Sequence, residues 1–178
     1  MNDRPPTLAP FTSSIPRLTT PRLLLREFRA EDFPAYAENS ADPAATEFLS
    51  GAIDRRAAWR IFASGAGAWV IHGAGWWALE VRETGEVVGN VGAFLRETCP
   101  DFEVGWTLYR RFWGQGYGTE GAKAALAFTF ESHRAKRVIA HIKGANTASV
   151  AVSQRLGMKY ETDVDFFGET VGRYSISS

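Results

Sequence analysis

The most informative segment of the sequence is Leu108-Tyr-Arg-Arg-Phe-Trp-Gly-Gln-Gly-Tyr-Gly-Thr-Glu-Gly121, where a strand pattern runs into a glycine loop and then into a helix. Glycines at 114, 116 and 118 let the backbone turn tightly and approach a ligand closely, since no Cβ is in the way. The first amides of the following helix have no acceptor inside it, and the helix dipole favours an anion beside them. The loop therefore suits a phosphate or pyrophosphate group, although a tight strand-to-helix turn without a ligand explains the same glycines.

The residues Gly116, Gly118 and Gly121 also have the G-x-G-x-x-G spacing of dinucleotide-binding proteins. That motif normally follows the first strand of a parallel βαβ unit, and an acidic residue ends the next strand about 20 residues later. Here the motif comes late, after an antiparallel hairpin, and the next strand ends in His-Ile-Lys at 141–143. A nicotinamide-dependent enzyme is therefore the weaker interpretation of this loop.

Upstream of the loop, the residue pattern predicts a strand over 22–29, a helix over 32–39 and a second helix over 54–64. In the second helix, Ala57 and Ile61 recur at helical spacing and are expected to face the core, together with Trp69 beyond the helix. Glycines just beyond this segment are expected to end the helix.

The remaining elements follow from changes in periodicity. Two β-rich runs around a Gly-containing turn predict a hairpin over 76–82 and 86–95, followed by a strand over 102–109. Downstream, the predicted elements are a helix over 117–132, a strand over 137–142, a helix from Asn146 to Gly157, and strands over 159–163 and 170–176. This order predicts an α/β fold with a mixed, mostly antiparallel central sheet flanked by helices.

Composition limits the classes of protein to which the chain can belong. It has 178 residues, a formal net charge of zero and no apolar run near the roughly 20 residues of a membrane helix. These values favour a cytoplasmic globular protein and give no reason to expect nucleic acid or membrane as a partner. The single cysteine, Cys99, is expected in a loop and excludes a multi-cysteine metal site, so no metal is expected. Residues 1–16 contain four prolines and predict a flexible tail, which leaves 17–178 as one domain.

Three blocks of the sequence occur in a fixed order. They are Leu18-Thr-Thr-Pro-Arg-Leu-Leu-Leu-Arg26, Glu103-Val-Gly-Trp-Thr-Leu-Tyr109 running into Trp113-Gly-Gln-Gly-Tyr-Gly-Thr-Glu120, and Asn146-Thr-Ala-Ser149 followed by Arg155-Leu-Gly-Met158. Together they resemble the GNAT superfamily of N-acetyltransferases, in particular the RimJ/RimL-like branch that includes ribosomal-protein N-terminal acetyltransferases. The resemblance covers residues 17–178.

The resemblance implies that acetyl-CoA lies in a cleft where the sheet splays, between the strand ending near Leu108 and the strand ending near Ile142. Backbone amides would hold the pyrophosphate, and further residues would contact the pantetheine arm. The implied pyrophosphate amides are those of Gln115, Gly116, Tyr117, Gly118 and Thr119, and the other implied cofactor contacts are Leu108, Tyr109, Arg110, Asn146 and Ser149. Asn146 also has the position of an ordinary helix N-cap and is expected to serve as both.

The implied reaction is direct attack of a primary amine on the thioester, without a covalent enzyme intermediate. Such a reaction needs a base for the ammonium, polarisation of the carbonyl and protonation of the thiolate. A backbone amide near Leu108 is expected to polarise the carbonyl. Glu103, on the same strand, is the expected base, although a structural carboxylate at a strand end explains this residue equally well.

The expected acid departs from the family pattern. Many members place a tyrosine seven residues after the helix-start asparagine, where this sequence has Ser153. Its hydroxyl lies one helical turn beyond Ser149 and is the candidate donor, directly or through water, with an ordinary polar helix residue as the alternative. Further titratable groups in regions that could face the acceptor are Glu80, Tyr36 and His72, and none of the histidines at 72, 133 and 141 is assigned a catalytic role.

The acceptor is a small-molecule amine or a protein N-terminus, and the resemblance is compatible with both. Its pocket is expected from the first helices and the segment 69–77, which is rich in aromatic residues and poor in acids. That composition favours an acceptor with apolar character over a polyamine. A CoA-binding sensor without transfer activity is the alternative from another class of protein, and the sequence neither requires nor excludes a homodimer.

Overall fold

A computed structural model describes residues 15–97 and 99–178. Within these ranges the chain forms eight β-strands and five α-helices. The strands are β1 (Leu18–Thr19), β2 (Leu23–Arg26), β3 (Gly75–Val81), β4 (Val87–Arg96), β5 (Cys99–Leu108), β6 (Arg137–Ile142), β7 (Lys159–Phe166) and β8 (Glu169–Ser177). The helices are α1 (Phe33–Ala41), α2 (Pro43–Thr46), α3 (Arg55–His72), α4 (Tyr117–Ser132) and α5 (Thr147–Arg155).

The eight strands belong to one sheet, whose order is β1-β2-β3-β4-β5-β6-β8-β7. Neighbouring strands are antiparallel except β5 and β6, which are parallel because the chain crosses from one to the other through α4. The prediction of a mixed, mostly antiparallel sheet flanked by helices is therefore confirmed, as are the β3–β4 hairpin, α4 and β6.

The two central strands diverge after a short contact. β5 and β6 are paired only at Phe102 with Val138 and at Glu103 with Ile139, although both strands continue beyond this point. Their other neighbours, β4 and β8, hold each of them in the sheet. The sheet therefore opens into a V-shaped cleft between the carboxyl ends of β5 and β6.

Helix α4 packs directly on the sheet. Its buried residues Ala122, Ala125 and Leu126 recur at helical spacing and belong to the main core. Gly121 allows a close approach, because a Cβ at this position would lie 2.7 Å from Cδ2 of Leu79. Fully burying a side chain such as Leu79 contributes about 1.5–3 kcal/mol, so this contact stabilises the packing of α4 on β3.

Helices α1 and α3 form a second, smaller layer, in which Phe33 of α1 packs against Phe62 of α3. The predicted core face of α3 is wrong by one residue, since Phe62 is buried whereas Ile61 is 51% exposed. Two adjacent apolar residues fit a helical pattern equally well, and only the neighbouring helix decides between them.

The predicted end of α3 near residue 64 is also wrong. The helix continues to His72 and ends at Gly73, whose φ of +65° is typical of a helix terminus. Gly65 lies inside the helix because two aromatic rings cross it there. A Cβ at Gly65 would lie 3.2 Å from the ring of Phe28 and 3.3 Å from that of Trp76.

The segment before β1 contacts the core where it is described. Ile15 packs against the main core, and the indole Nε1 of Trp77 donates to the carbonyl of Pro16 at 2.7 Å. The rest of the predicted tail, residues 1–14, lies outside the described residues. Across the two described ranges, no helix combines the length and the apolar character needed to cross a membrane.

Cys99 is the first residue of β5 and is partly buried, so the prediction that it lies in a loop is wrong. The turn between β4 and β5 is short, and Cys99 pairs with Arg96 directly after it. Pro100 is tolerated in the strand near its beginning.

Candidate active site

A loop suited to an anion lies between β5 and α4. A 3-10 turn at Arg110–Phe112 is followed by Gly114 with φ +74° and Gly116 with φ +81°, a left-handed conformation that favours glycine. Gly116 is the N-cap of α4, and its carbonyl accepts a hydrogen bond from the amide of Glu120 at 3.1 Å. Among the described residues, the predicted amides at 115–119 donate to no backbone carbonyl. They lie at a helix N-terminus, an arrangement that binds phosphate.

Arg22 supports this loop from the side. Its guanidinium lies over the ring of Tyr117 at 4.6 Å and donates through Nη1 to the carbonyl of Gln115 at 2.9 Å. Nε of the same guanidinium donates to Glu120 at 2.6 Å, and the hydroxyl of Thr20 donates to that carboxylate at 2.6 Å. The turn between β1 and β2 is thereby fixed to α4. Sequence reasoning missed this support, although Arg22 and Glu120 both lie in the blocks that carry the family resemblance.

Gly118 brings α4 close to the end of β5. It is buried in the first turn of the helix, and a Cβ at this position would lie 2.9 Å from Cδ2 of Leu108. The carbonyl of Leu108 accepts a hydrogen bond from the indole of Trp113 at 2.8 Å, so the loop folds back on the strand. The glycine at 118 is therefore explained by helix–strand packing, independently of any ligand.

The free edge of β5 borders the cleft. The amide of Tyr109 donates to the carbonyl of Val88 in β4 at 2.9 Å, and the direction of the amides alternates along a strand. The amides of Trp106 and Leu108 therefore point away from β4 and towards β6. Because β6 has already diverged at this level, both amides can donate to a carbonyl group held in the cleft.

The side chains of Tyr109 and Arg110 do not line the cleft, contrary to the prediction. Tyr109 follows Leu108 and points to the opposite side, where burial, together with the charge of Asp32, raises the pKa of its phenol well above the ordinary value. The guanidinium of Arg110 is exposed and lies 3.5 Å from Asp42. In this segment, main-chain atoms are what a cofactor can contact.

The cleft between β5 and β6 has a volume of about 510 Å³, which is in the range of ligand pockets. Its walls are residues 103–107 of β5, residues 140–142 of β6 and Lys143 directly after it, and Asn146 and Ser149 at the start of α5 border it. Oδ1 of Asn146 accepts a hydrogen bond from the amide of Ser149 at 3.0 Å, which is the expected N-cap. These two predicted residues are thus brought to the same cleft as β5.

Glu103 lies in the cleft wall but is already bonded. The carboxylate is 6% exposed, and Arg96 donates to it through Nε at 2.5 Å and through Nη2 at 3.1 Å. Burial acts to raise the pKa of Glu103, but His141 and Arg96 outweigh it and hold the pKa below the ordinary value. A carboxylate whose two oxygens both accept from a guanidinium is a poor proton acceptor, so the prediction of Glu103 as the base itself is not supported.

His141, which sequence reasoning left without a role, lies beside Glu103. Its Nδ1 is 3.3 Å from Oε2 of Glu103, close enough for an ion pair although the geometry is not that of a hydrogen bond. The imidazole stacks on Phe166 with ring centroids 4.6 Å apart, and it lines the cleft. The parallel register brings it there, because Glu103 pairs with Ile139 and residues two apart share a face of a strand.

Ser153 is fully buried, and its hydroxyl donates to the carbonyl of Val150 at 2.8 Å. It is not among the described residues that line the cleft, whereas Ser149, one turn earlier, is. The hydroxyl of Ser153 is therefore not exposed to the cleft, because the face of α5 that begins at the cleft is covered one turn further on, and its predicted role as proton donor is not supported.

Three other titratable candidates lie elsewhere. Glu80 accepts a hydrogen bond from Nε of Arg26 at 2.5 Å. Tyr36 packs against Phe62, and burial raises the pKa of its phenol. His72 is exposed at the end of α3. In the part of the chain that the structure describes, none of these three lines the cleft.

The aromatic end of the cleft is lined by the rings of Trp76, Phe94, Phe166 and Phe167. Trp76 and residues 48–50, between α2 and α3, come from the N-terminal part of the chain that was expected to form the acceptor pocket. Trp69 of the same predicted segment is 6% exposed in the main core, which confirms its expected core position, and it does not line the cleft. Over residues 15–97 and 99–178, no group of three or more His, Cys, Asp or Glu side chains is placed to hold a metal ion.

Comparisons with known proteins agree with this geometry. A family model described as "Acetyltransferase (GNAT) domain" matches residues 22–159. The protein YkkB of Bacillus subtilis (strain 168) is 30% identical over 109 residues, which are 60% of this chain and 63% of YkkB. The match therefore spans less than two thirds of that relative.

The fold is shared with solved structures. The acetyltransferase from Agrobacterium tumefaciens str. C58 is 30% identical, with a TM-score of 0.85 over 96% of this chain and 99% of that chain. RimL, a ribosomal L7/L12 alpha-N-protein acetyltransferase solved in complex with coenzyme A, is 17% identical, with a TM-score of 0.75 over 92% of this chain and 97% of that chain. This likeness of fold agrees with the RimJ/RimL-like resemblance of the sequence.

Proposed function

Because the chain belongs to the GNAT family of N-acetyltransferases, we propose that it transfers the acetyl group of acetyl-CoA directly to a primary amine. The observation that carries the proposal is the divergence of β5 and β6, which leaves free backbone donors beside a cleft next to the loop at 114–119. Acetyl-CoA has a pyrophosphate at one end and a thioester at the other. The loop suits the pyrophosphate, and the cleft suits the thioester.

In the proposed complex, the amides at 115–119 donate to the pyrophosphate, and Arg22 supplies positive charge beside them. Asn146 bonds the pantetheine arm through its side-chain NH₂, since its Oδ1 is used in the N-cap. Ser149 contacts the same arm. The amide of Leu108 donates to the thioester carbonyl, which makes the carbon more electrophilic and stabilises the oxyanion formed on attack.

The amine attacks the thioester carbon, a C–N bond forms, the C–S bond breaks and CoA leaves as a thiolate. The ammonium form has no free electron pair, so it must first lose a proton. In this scheme His141 takes that proton, and the charge of Glu103 stabilises the imidazolium. The second amine proton, released as the amide forms, goes to the thiolate. The pairing of Glu103 with Arg96 and its 3.3 Å distance to His141 support this division of roles.

The test is release of free thiol from acetyl-CoA in the presence of a panel of small-molecule primary amines and short peptides with free N-termini. Calorimetric titration with CoA and with NAD accompanies it. We expect CoA to bind, NAD to bind far more weakly and at least one amine to release thiol. Binding of CoA without any transfer would instead favour a sensor, and tight binding of NAD without CoA would overturn the proposal.

A further inference from the structure

Trp76 forms a floor at the aromatic end of the cleft. Its indole lies across Gly92 of β4 and Gly105 of β5, which are partners in the sheet. A Cβ at Gly92 would lie 2.6 Å from the indole, and one at Gly105 would lie 3.0 Å from it. Two paired glycines thus provide the space that the indole fills. Phe94 stacks beside it with ring centroids 5.0 Å apart.

Phe167 stands at the mouth of the same cleft in a costly conformation. It is 82% exposed, and its φ of +54° lies in the left-handed region, which is unfavourable for a large side chain. Phe167 and Gly168 are the two turn residues of the β7–β8 hairpin, because Phe166 pairs with Glu169. Asparagine or glycine is the usual residue in such a turn. A strained and exposed aromatic residue that lines a cleft indicates a role in binding.

The carboxylates of the cleft are already neutralised. Glu103 is bonded to Arg96, whose guanidinium also lies over the ring of Phe166 at 4.9 Å. Glu169 is bonded to Nζ of Lys143 at 2.8 Å. Among the described residues that line the cleft, these are the acidic side chains, so a polyamine finds no free negative charge there. A ligand at this end is held through apolar and aromatic contacts.

Lys143 also joins the two walls of the cleft. Its Nζ donates to the carbonyl of Leu49 at 3.1 Å, in addition to the contact with Glu169 of β8. The segment between α2 and α3 is thereby tied to the β7–β8 hairpin. A peptide acceptor continues beyond its terminal amine and would have to pass this connection, whereas a small molecule would not. The connection favours a small acceptor over a protein N-terminus.

We propose that the acceptor is a small primary amine that carries an aromatic ring, and that Phe167 determines this specificity. The inference rests on the proposed acetyl transfer. The ring of the acceptor lies between Phe167 and Trp76, in the stacked or edge-on arrangements that aromatic rings prefer. The imidazole of His141, the proposed base, stacks on Phe166. Phe166 therefore extends the aromatic surface from Phe167 to this imidazole.

The experiment compares 2-phenylethylamine with hexylamine, which has the same amine without the ring, and adds spermidine and an alanine tetrapeptide. We expect kcat/KM for 2-phenylethylamine to exceed the other values at least about tenfold, since burial and stacking of a ring both contribute. Phe167→Asn suits the turn and should fold. It should lower kcat/KM for 2-phenylethylamine about tenfold through KM, and kcat/KM for hexylamine by a clearly smaller factor, because hexylamine loses apolar contact but no ring stacking. CoA affinity should stay unchanged.

Tyr160→Thr is the matched control, because Tyr160 is 54% exposed on the same hairpin and does not line the cleft. It should leave both amines unaffected. Equal kcat/KM for the two amines, a preference for the tetrapeptide, or wild-type kinetics of Phe167→Asn would overturn the inference while transfer itself stands. If no amine releases thiol from a protein that binds CoA, the proposed function fails, and the inference fails with it.

Discussion

The carboxylate of Glu120 accepts hydrogen bonds from both the backbone amide and the guanidinium of Arg22, 98 residues earlier in the chain. Burial acts to raise the pKa of Glu120, but bonds from Thr20 and Arg22 outweigh it, and the pKa lies below the ordinary value. The carboxylate is therefore charged, in the first turn of the helix proposed to bind pyrophosphate. Arg22 offsets that charge and holds the loop at the same time.

Replacing Arg22 with alanine should therefore weaken CoA binding. The change removes a positive charge and leaves Glu120 free to repel the phosphates. The guanidinium is about half exposed, so we expect a loss of about 1 kcal/mol, or roughly fivefold in Kd. Calorimetry measures the effect. Arg82→Ala is the control, since Arg82 bonds the carbonyls of Thr20 and Pro21 but not the loop. Equal losses of CoA affinity in the two variants would contradict the proposed role of Arg22 beside the pyrophosphate.

Replacing Gly118 with valine should lower the stability of the fold as well as any affinity for CoA. The new side chain would meet Leu108, and overpacking typically costs about 1–3 kcal/mol. Urea denaturation measures the free energy of unfolding. Gly67→Ala provides the comparison, because Gly67 lies in α3 with no atom within 4 Å of its Cβ position, and helix propensity favours alanine there. Unchanged stability of Gly118→Val would show that α4 does not depend on this contact.

Replacing His141 with asparagine should lower kcat by roughly 10²–10⁴-fold, the usual effect of losing a general base. CoA affinity should change little, because the proposed cofactor contacts are mainly backbone. The loss should shrink at high pH, where more of the amine is already neutral. His72→Asn, at an exposed site outside the cleft, should have wild-type rates. A pH–rate profile for both variants checks this prediction. Full activity of His141→Asn would show that another group acts as the general base.

Replacing Glu103 with glutamine should lower stability in a pH-dependent way. The folded-state pKa of Glu103 is below its ordinary value of 4.5, so the ionised carboxylate contributes fully above that pH. The contribution is lost as the pH falls through the folded-state pKa. We expect the substitution to lower the free energy of unfolding by about 1–3 kcal/mol near pH 7. Below pH 4.5 this difference from the wild type should become smaller. Urea titrations of the wild type and the variant across this pH range measure the difference in the free energy of unfolding. If the pairing with Arg96 contributed nothing, this difference would not vary with pH.

The sequence was sufficient where the signals are local. The glycine loop, the start of α4 at Tyr117 and the N-cap Asn146 depend on residues close together in the chain, and all three are in the structure. The end of α3 is predicted too early because glycine commonly interrupts a helix, and Gly65 follows the predicted segment. Its absence of a side chain instead makes room for the ring of Phe28, which arrives from elsewhere in the chain.

The candidate site was less predictable, because it is assembled by register. His141 acquires a neighbour only when β5 and β6 pair at Glu103 and Ile139, and no spacing within the sequence contains that pairing. Ser153 is the candidate donor because it occupies the position seven residues after Asn146 where many family members have a tyrosine, and because it shares a helix face with Ser149. A helix face changes its surroundings along its length, and the interior covers this one after a single turn.

The divergence of β5 from β6 also weakens the junction between the two parts of the sheet. Only two residue pairs join strands β1–β5 to strands β6–β8 within the described sheet, so backbone pairing is sparsest at this junction. A molecule that contacts both strands would add interactions across this junction. Its binding free energy would then add to the free energy needed to separate the two strands. Slower amide hydrogen exchange in β6 and β8 would then report occupancy of the cleft, even with a molecule that is never turned over.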